Sequence, residues 1–268
     1  MTAFRLSEAL GHARMSIMPG ASPQHDEVIS SAFERWKGRH SRVGRRVTLL
    51  DLYQEVADAR GVEPHELARD ERRILSALAF SEIWPGFEVI GGERPDPVEI
   101  VAYDRSWPVR FESWKERLSE ALRASARRIE HVGSTAVPGL AAKPTIDIQI
   151  SVDSLEREED YVPSLTACGL ELRSRDRLHR YLRPPTDRPR DVHVHVCEAG
   201  GNWEREHLLF RDFLRAHPAA AERYATRKLA LADRWSDDRP AYTEAKTAII
   251  LETLAAAKQW AQETSLTS

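Results

Sequence analysis

The sequence predicts an α/β (α+β) chain, a mixed sheet flanked by helices and preceded by a helical N-terminal region. Three observations carry that prediction. The first ninety or so residues place apolar side chains at helical spacing and contain no β-rich run. Beyond residue 98 short strand patterns alternate with helical ones. From Trp203 onward the chain reads as helix again.

The 268 residues suit one large domain or two modest ones, and a hydrophobic content of 41% is enough to bury a core. A formal net charge of −3 gives no general basic field, so neither nucleic acid nor a membrane is an expected partner. No apolar stretch approaches a membrane span, and residues 1–10 lack the layout of a secretory signal, so a cytoplasmic location is expected. Cys168 and Cys197 lie in separate segments and read as reduced, structural residues.

Taken in order, 48–60 has helical periodicity and Gly61 can end it. A second helix is expected from 64 to about 80, with Pro64 in its first turn. Two such helices could enter a DNA groove, but Glu66, Asp70 and Glu71 make the second a poor reader. Two glycines and two prolines within 91–97 mark a boundary, giving a helical domain over 1–92 and a second domain over 98–268. The second domain is expected to run as a strand at 98–103, a helix from 107 to about 126, and strands at 128–132 and 145–152. A helix at 158–168 follows, then short strands at 170–173 and 180–182 and a longer one at 192–197. Three helices, 203–217, 219–236 and 242–264, complete it.

Alternation along a strand puts Asp147 and Gln149 on one face, opposite Ile146, Ile148 and Ile150. A carboxylate on a mostly buried strand needs a partner, and a divalent metal supplies one. The same rule puts Asp191, His193 and His195 together. If the two strands are neighbours, about 4.8 Å apart, Asp147 and one or both imidazoles come within coordination range. A half-exposed strand with polar residues facing water is the alternative, and a His-x-His pair would also suit a zinc or cupin-like iron site. The iron reading leaves the preceding Gly133-Ser134 turn unexplained. That turn follows a strand, and its backbone N–H groups with the Ser134 and Thr135 hydroxyls could receive a phosphate. Lys143, just before Pro144, could turn its ammonium back toward it. His131 could reach a ligand or equally bond the loop backbone.

The order apolar, Gly, Ser, twelve residues, Asp, apolar, polar, apolar is similar to the signature of the nucleotidyltransferase fold. From about residue 98 to the C-terminus the chain resembles the GrpB family of that superfamily. The likeness rests on Tyr103-Asp104 with Trp107 and Phe111, the string from His131 through Gly133, Ser134 and Pro144 to Asp147, and His193-Val-His195. It extends through Phe210-Arg211-Asp212, Tyr224 with Lys228, and Tyr242 to Lys246. It implies a nucleotidyltransferase-like mixed sheet that binds Mg2+ or Mn2+ with a nucleoside triphosphate, ATP being the expected one, and modifies a small-molecule acceptor. Gly133, Ser134, Thr135, Lys143, Lys228 and Lys246 would hold the nucleotide, and Asp147, Gln149 and His195 the metal. Asp147, His193 and His195 would carry the chemistry, one histidine serving as general base. The superfamily normally has a second carboxylate where this chain has Gln149. An ATP-dependent ligase acting through an adenylated carboxylate would use the same site, and a non-catalytic nucleotide- or ligand-binding module is the reading Gln149 favours. Residues 1–92 could recruit a protein partner.

Overall fold

The computed structural model describes residues 23–42, 48–83, 88–90 and 97–266. The boundary expected at 91–97 lies, Pro97 excepted, outside the described residues, as does the N-terminal stretch 1–22. The described residues group into two compact units. One joins the N-terminal helices to Val98 and Asp233–Lys246, and the other takes Glu99–Ala232 and the chain after Lys246.

In the first unit α1 (Pro23–Arg42), α2 (Leu49–Arg60) and α3 (Arg69–Ile83) bury Trp36, Leu52, Val56 and Leu75. Thr48 caps α2: its hydroxyl accepts from the Asp51 N–H at 3.2 Å, and the Asp51 carboxylate accepts from the Thr48 N–H at 2.7 Å. The helix expected from residue 64 begins instead at Arg69, because Pro64–Glu66 winds as a 3-10 turn. The Glu66 carboxylate closes that turn on the Glu63 N–H at 2.8 Å, and Leu67 then turns extended to bury its side chain. Arg72 is buried and holds both oxygens of Asp237 at 2.7 Å, with Asp238 at 2.9 Å. The Tyr53 hydroxyl lies 3.0 Å from Asp238. Buried charges left unpaired would be costly, so this network fixes Asp233–Lys246 in the N-terminal unit.

The second unit is built on β1 (Glu88–Val89), β2 (Arg128–Val132), β3 (Ile146–Val152), β4 (Glu171–Arg175), β5 (His179–Arg183) and β6 (Val192–Glu198). These form one sheet in the order β1-β4-β5-β6-β3-β2. The β3–β6 pair is parallel and the other neighbours are antiparallel. A strand lies in the stretch expected to lack β structure, since β1 adds two residues to the β4 edge. The strand expected over 98–103 reduces to one bridge between Val101 and Ala142. Asp104 ends it by turning the chain into a helix: its carbonyl accepts from the Trp107 N–H at 3.1 Å and its carboxylate from the Ser106 N–H at 2.7 Å.

That helix, α4 (Trp107–Leu122), and α5 (Val162–Ala167) cover one face of the sheet. Ile146, Ile148, Ile150, Val192, Val194 and Val196 point into this layer with no exposed surface. Burying each of these side chains contributes roughly 1.5–3 kcal/mol. Alternation sends Asp147, Gln149 and Ser151, with His193, His195 and Cys197, to the opposite face. There α6 (Asn202–Ala216) is anchored by polar contacts. Glu204 accepts from the Ser151 hydroxyl and the Gly200 N–H, both at 2.6 Å, and Arg211 donates to Glu130 at 2.8 Å and to the His131 carbonyl at 3.0 Å. α7 (Pro218–Arg234) and the later turns of α8 (Arg239–Leu266) add a second core around Val137, Leu140, Phe213, Tyr224 and Ile249.

Between β2 and β3 the chain passes through Gly133 at φ 70° and a short 3-10 turn over Ser134–Ala136. A side chain at Gly133 would have its Cβ 2.4 Å from Asp147 Oδ2, so the turn and the carboxylate approach as closely as a missing Cβ allows. Thr135, 1% exposed, donates its hydroxyl to the Thr145 carbonyl at 3.3 Å and so accepts from His131 Nε2, 3.0 Å away. His131 stacks on Phe111 at 4.7 Å. Burial pushes its imidazolium down to about 4, against the opposing pull of Asp147.

Two expectations follow from this turn. Gly133→Ala should lower unfolding free energy by about 1–3 kcal/mol in urea titrations, since it adds both positive-φ strain and a clash. His131 stays neutral when folded, whereas the unfolded chain protonates it below about pH 6.5. Stability from this residue is therefore present above pH 6.5 and falls as the pH drops toward 4, by about 3 kcal/mol in all. Urea titrations at pH 7 and pH 4.5 should show this fall in the native chain and a smaller one in His131→Gln.

Candidate functional site

The parallel pairing of β3 with β6 sets Asp147 opposite His193 and Gln149 opposite His195. Asp147 Oδ1 lies 3.1 Å from His193 Nδ1 and 3.9 Å from His195 Nε2. One ligand atom from each of the three falls within 4.8 Å of the others, a spacing that suits a single divalent ion. The structure thus brings Asp147, His193 and His195 together. Asp191 stays apart: it precedes β6, its carbonyl accepts from the Ile146 N–H at 2.9 Å, and its carboxylate sits 3.7 Å from Arg110.

Hydrogen bonding assigns the proton on His193. Arg190 Nε can only donate, and it points at His193 Nε2 at 3.1 Å. The ring therefore carries its hydrogen on Nδ1 and gives it to Asp147. Arg190 also reaches the Tyr181 hydroxyl at 3.2 Å. Burial first, and then the neighbouring His179, push His195 well below its usual imidazolium range, so it is neutral and offers a lone pair.

Gln149 has no exposed surface, and among the described residues neither its amide nitrogen nor its amide oxygen has a hydrogen-bond partner. His195 Nδ1 is buried and unpartnered as well. Such atoms are scarce in folded proteins, because each costs roughly 1–3 kcal/mol.

On the other side of Asp147, the Gly133-Ser134 turn meets a cation from a distant helix. Lys228, 2% exposed, donates to Ser134 Oγ at 3.0 Å and to the Ala141 carbonyl, and its ammonium lies 5.2 Å from the centre of the Tyr224 ring. Tyr224 bonds Ser134 too, and burial pushes its phenol up to about 12, so it remains protonated at neutral pH. Lysine has only hydrogens to give, so Ser134 Oγ accepts from it. Thr135 is turned inward to His131 and Thr145. Lys143 is half-buried, with its carbonyl accepting from the Thr145 N–H at 2.7 Å. Lys246 groups with the N-terminal unit, its ammonium 5.1 Å from the Tyr242 ring centre.

Several neighbours of the cluster were not singled out from the sequence as site residues. Tyr181 lies 5.2 Å from both His193 and His195. His179 and Trp203 stack beside His195 at 5.7 and 5.5 Å. Trp203 is half-buried and also stacks on His207. The signal for His179 and Tyr181 was the period-two pattern His179, Tyr181, Arg183, one residue wider at each end than the strand expected there.

Residues 97–256 match the family model described as GrpB protein. A UPF0157 protein of Streptomyces coelicolor is 43% identical over 164 residues, covering 61% of this chain and 86% of that one. A dephospho-CoA kinase of Mycolicibacterium paratuberculosis is 31% identical over 194 residues, which is 63% of this chain but 48% of that protein. The crystal structure of conserved protein GrpB from Enterococcus faecalis aligns with a TM-score of 0.54 at 32% identity, over 60% of this chain and 99% of that one. The matched family region holds Gly133, Ser134, Asp147, His193, His195 and Lys228, and the chain belongs to the GrpB family.

Proposed function

We propose that this chain is a metal-dependent, nucleotidyltransferase-like enzyme that uses a nucleoside triphosphate, ATP being the expected one, to modify a small-molecule acceptor. The observation that carries the reading is the position of Asp147. One carboxylate oxygen faces two imidazoles, and the other lies against the glycine of a Gly-Ser turn.

Asp147, His193 and His195 would hold the divalent ion, His193 moving its hydrogen from Nδ1 to Nε2 and releasing Arg190, and the donor set then fits one, with a carboxylate and two imidazoles within reach of a common point. Mg2+ or Mn2+ would serve the superfamily's chemistry, and the imidazoles shift the preference toward Mn2+ or zinc. When bound, the ion would neutralise phosphate charge beside the reacting centre. Ser134 and Lys228 would hold the leaving phosphates, and the bare backbone at Gly133 would let them approach the carboxylate. The acceptor oxygen would attack the α-phosphorus, the bond to the bridging oxygen would break, and pyrophosphate would leave. The acceptor's proton would pass to solvent, since the lone pairs of both imidazoles would be committed to the ion. The name of the dephospho-CoA kinase relative is in keeping with small-molecule phosphate chemistry. Among the described residues no helix is long and apolar enough to cross a membrane, and a cytoplasmic location remains part of the proposal.

A second reading has its own support: Gln149 supplies a neutral amide where two-metal chemistry would want charge, which favours a nucleotide-binding module without turnover. Pyrophosphate release across a panel of acceptors with Mn2+ separates the two. Release that Asp147→Asn abolishes supports the enzyme, whereas nucleotide binding without release at any acceptor supports the module.

Calorimetry with Mn2+ should show Asp147→Asn losing at least the 10–100-fold in affinity that changes in outer-shell groups typically cost. Lys228→Met should keep Mn2+ binding and weaken triphosphate binding by roughly 1.5–3 kcal/mol, about 10–100-fold, in the same assay.

A further inference from the structure

Gln149 lies at the centre of the polar sheet face and the proposed function gives it no firm role. On β3 it is two residues from Asp147, and across the parallel ladder it faces His195. Its amide and His195 Nδ1 are the unpartnered buried atoms of this register pair. His195 presents its other nitrogen, Nε2, toward Asp147.

These facts fit together through the chemistry of a ligating imidazole. A histidine that gives the lone pair of one ring nitrogen to a metal carries its hydrogen on the other, and that N–H needs an acceptor to fix the ring's orientation. Nε2 is the His195 nitrogen on the Asp147 side, so Nδ1–H is the one that needs an acceptor. Gln149 Oε1 belongs to the adjacent strand position, on the same face, and like His195 Nδ1 has no hydrogen-bond partner among the described residues.

We propose that Gln149 is a positioning residue for the metal centre: with the ion bound, its amide oxygen would turn to accept from His195 Nδ1–H and aim Nε2 at the ion, and it is not itself a ligand. The inference rests on the metal reading given above. It accounts for an amide at a position with no exposed surface. A carboxylate there would have to be desolvated beside Asp147, and an apolar side chain would leave the imidazole unsteered. The ion would then be held by Asp147 and the two histidines alone.

Titration of the full-length protein with Co2+ tests this, because cobalt absorbs in the visible and its bands report the number and type of ligands. Gln149→Leu should bind Co2+ about 10–100-fold more weakly than the native chain, with unchanged visible bands. Its melting temperature measured without metal should hold or rise, since an unsatisfied amide is replaced by an apolar group. Gln149→Met, with similar volume, gives the same reading if leucine packs poorly. A loss of affinity alongside undiminished stability is not what a purely structural glutamine would produce. Equal Co2+ affinity in native and variant chains would overturn the inference and leave the metal reading intact. A shift of the visible bands would overturn it differently, by making Gln149 a ligand. No Co2+ binding by the native protein would remove the metal reading itself and this inference with it.

Discussion

Register between two parallel strands is the constraint on which the rest of this structure depends. β3 and β6 could slide past each other by one residue only by turning their isoleucines and valines to the polar face and their charged groups into the core. The hydrophobic layer beneath α4 and α5 forbids that slip. Packing on one face therefore fixes which carboxylate meets which imidazole on the other.

The polar face is held from above as firmly as from below. α6 bonds β3 through Glu204 and Ser151, and β2 through Arg211 and Glu130. Its Arg215 also donates to the Ala136 carbonyl at 2.9 Å, at the end of the Gly-Ser turn. One helix thus sets the sheet and the turn in a common frame, and Lys228 from the next helix ties Ser134 into it. Charge-assisted contacts of this kind are directional, which suits groups that must be placed rather than merely buried.

Much of this was legible in the sequence where the signal is local. Strand alternation put Asp147 with Gln149 and His193 with His195, and the structure's β2, β3 and β6 lie within a residue of the stretches read as strands. Local patterns say nothing about which strands adjoin. That depends on β4 and β5 forming an antiparallel pair beyond β6, so that β6 comes to lie beside β3. The contact between Lys228 and Ser134 spans 94 residues, and the likeness to a family suggested it where periodicity could not. Arg190 gave no sign at all, since one arginine among several in a polar turn is distinguished only by the imidazole it finally touches.

The network around Arg72 has a consequence for how this chain could be divided. Asp237 and Asp238 find their cation in α3, and Trp235, Ala241 and Tyr242 are buried in the same segment. A protein trimmed of its first ninety residues would keep these side chains and lose Arg72 and Tyr53, exposing apolar surface next to two carboxylates without their counter-ion.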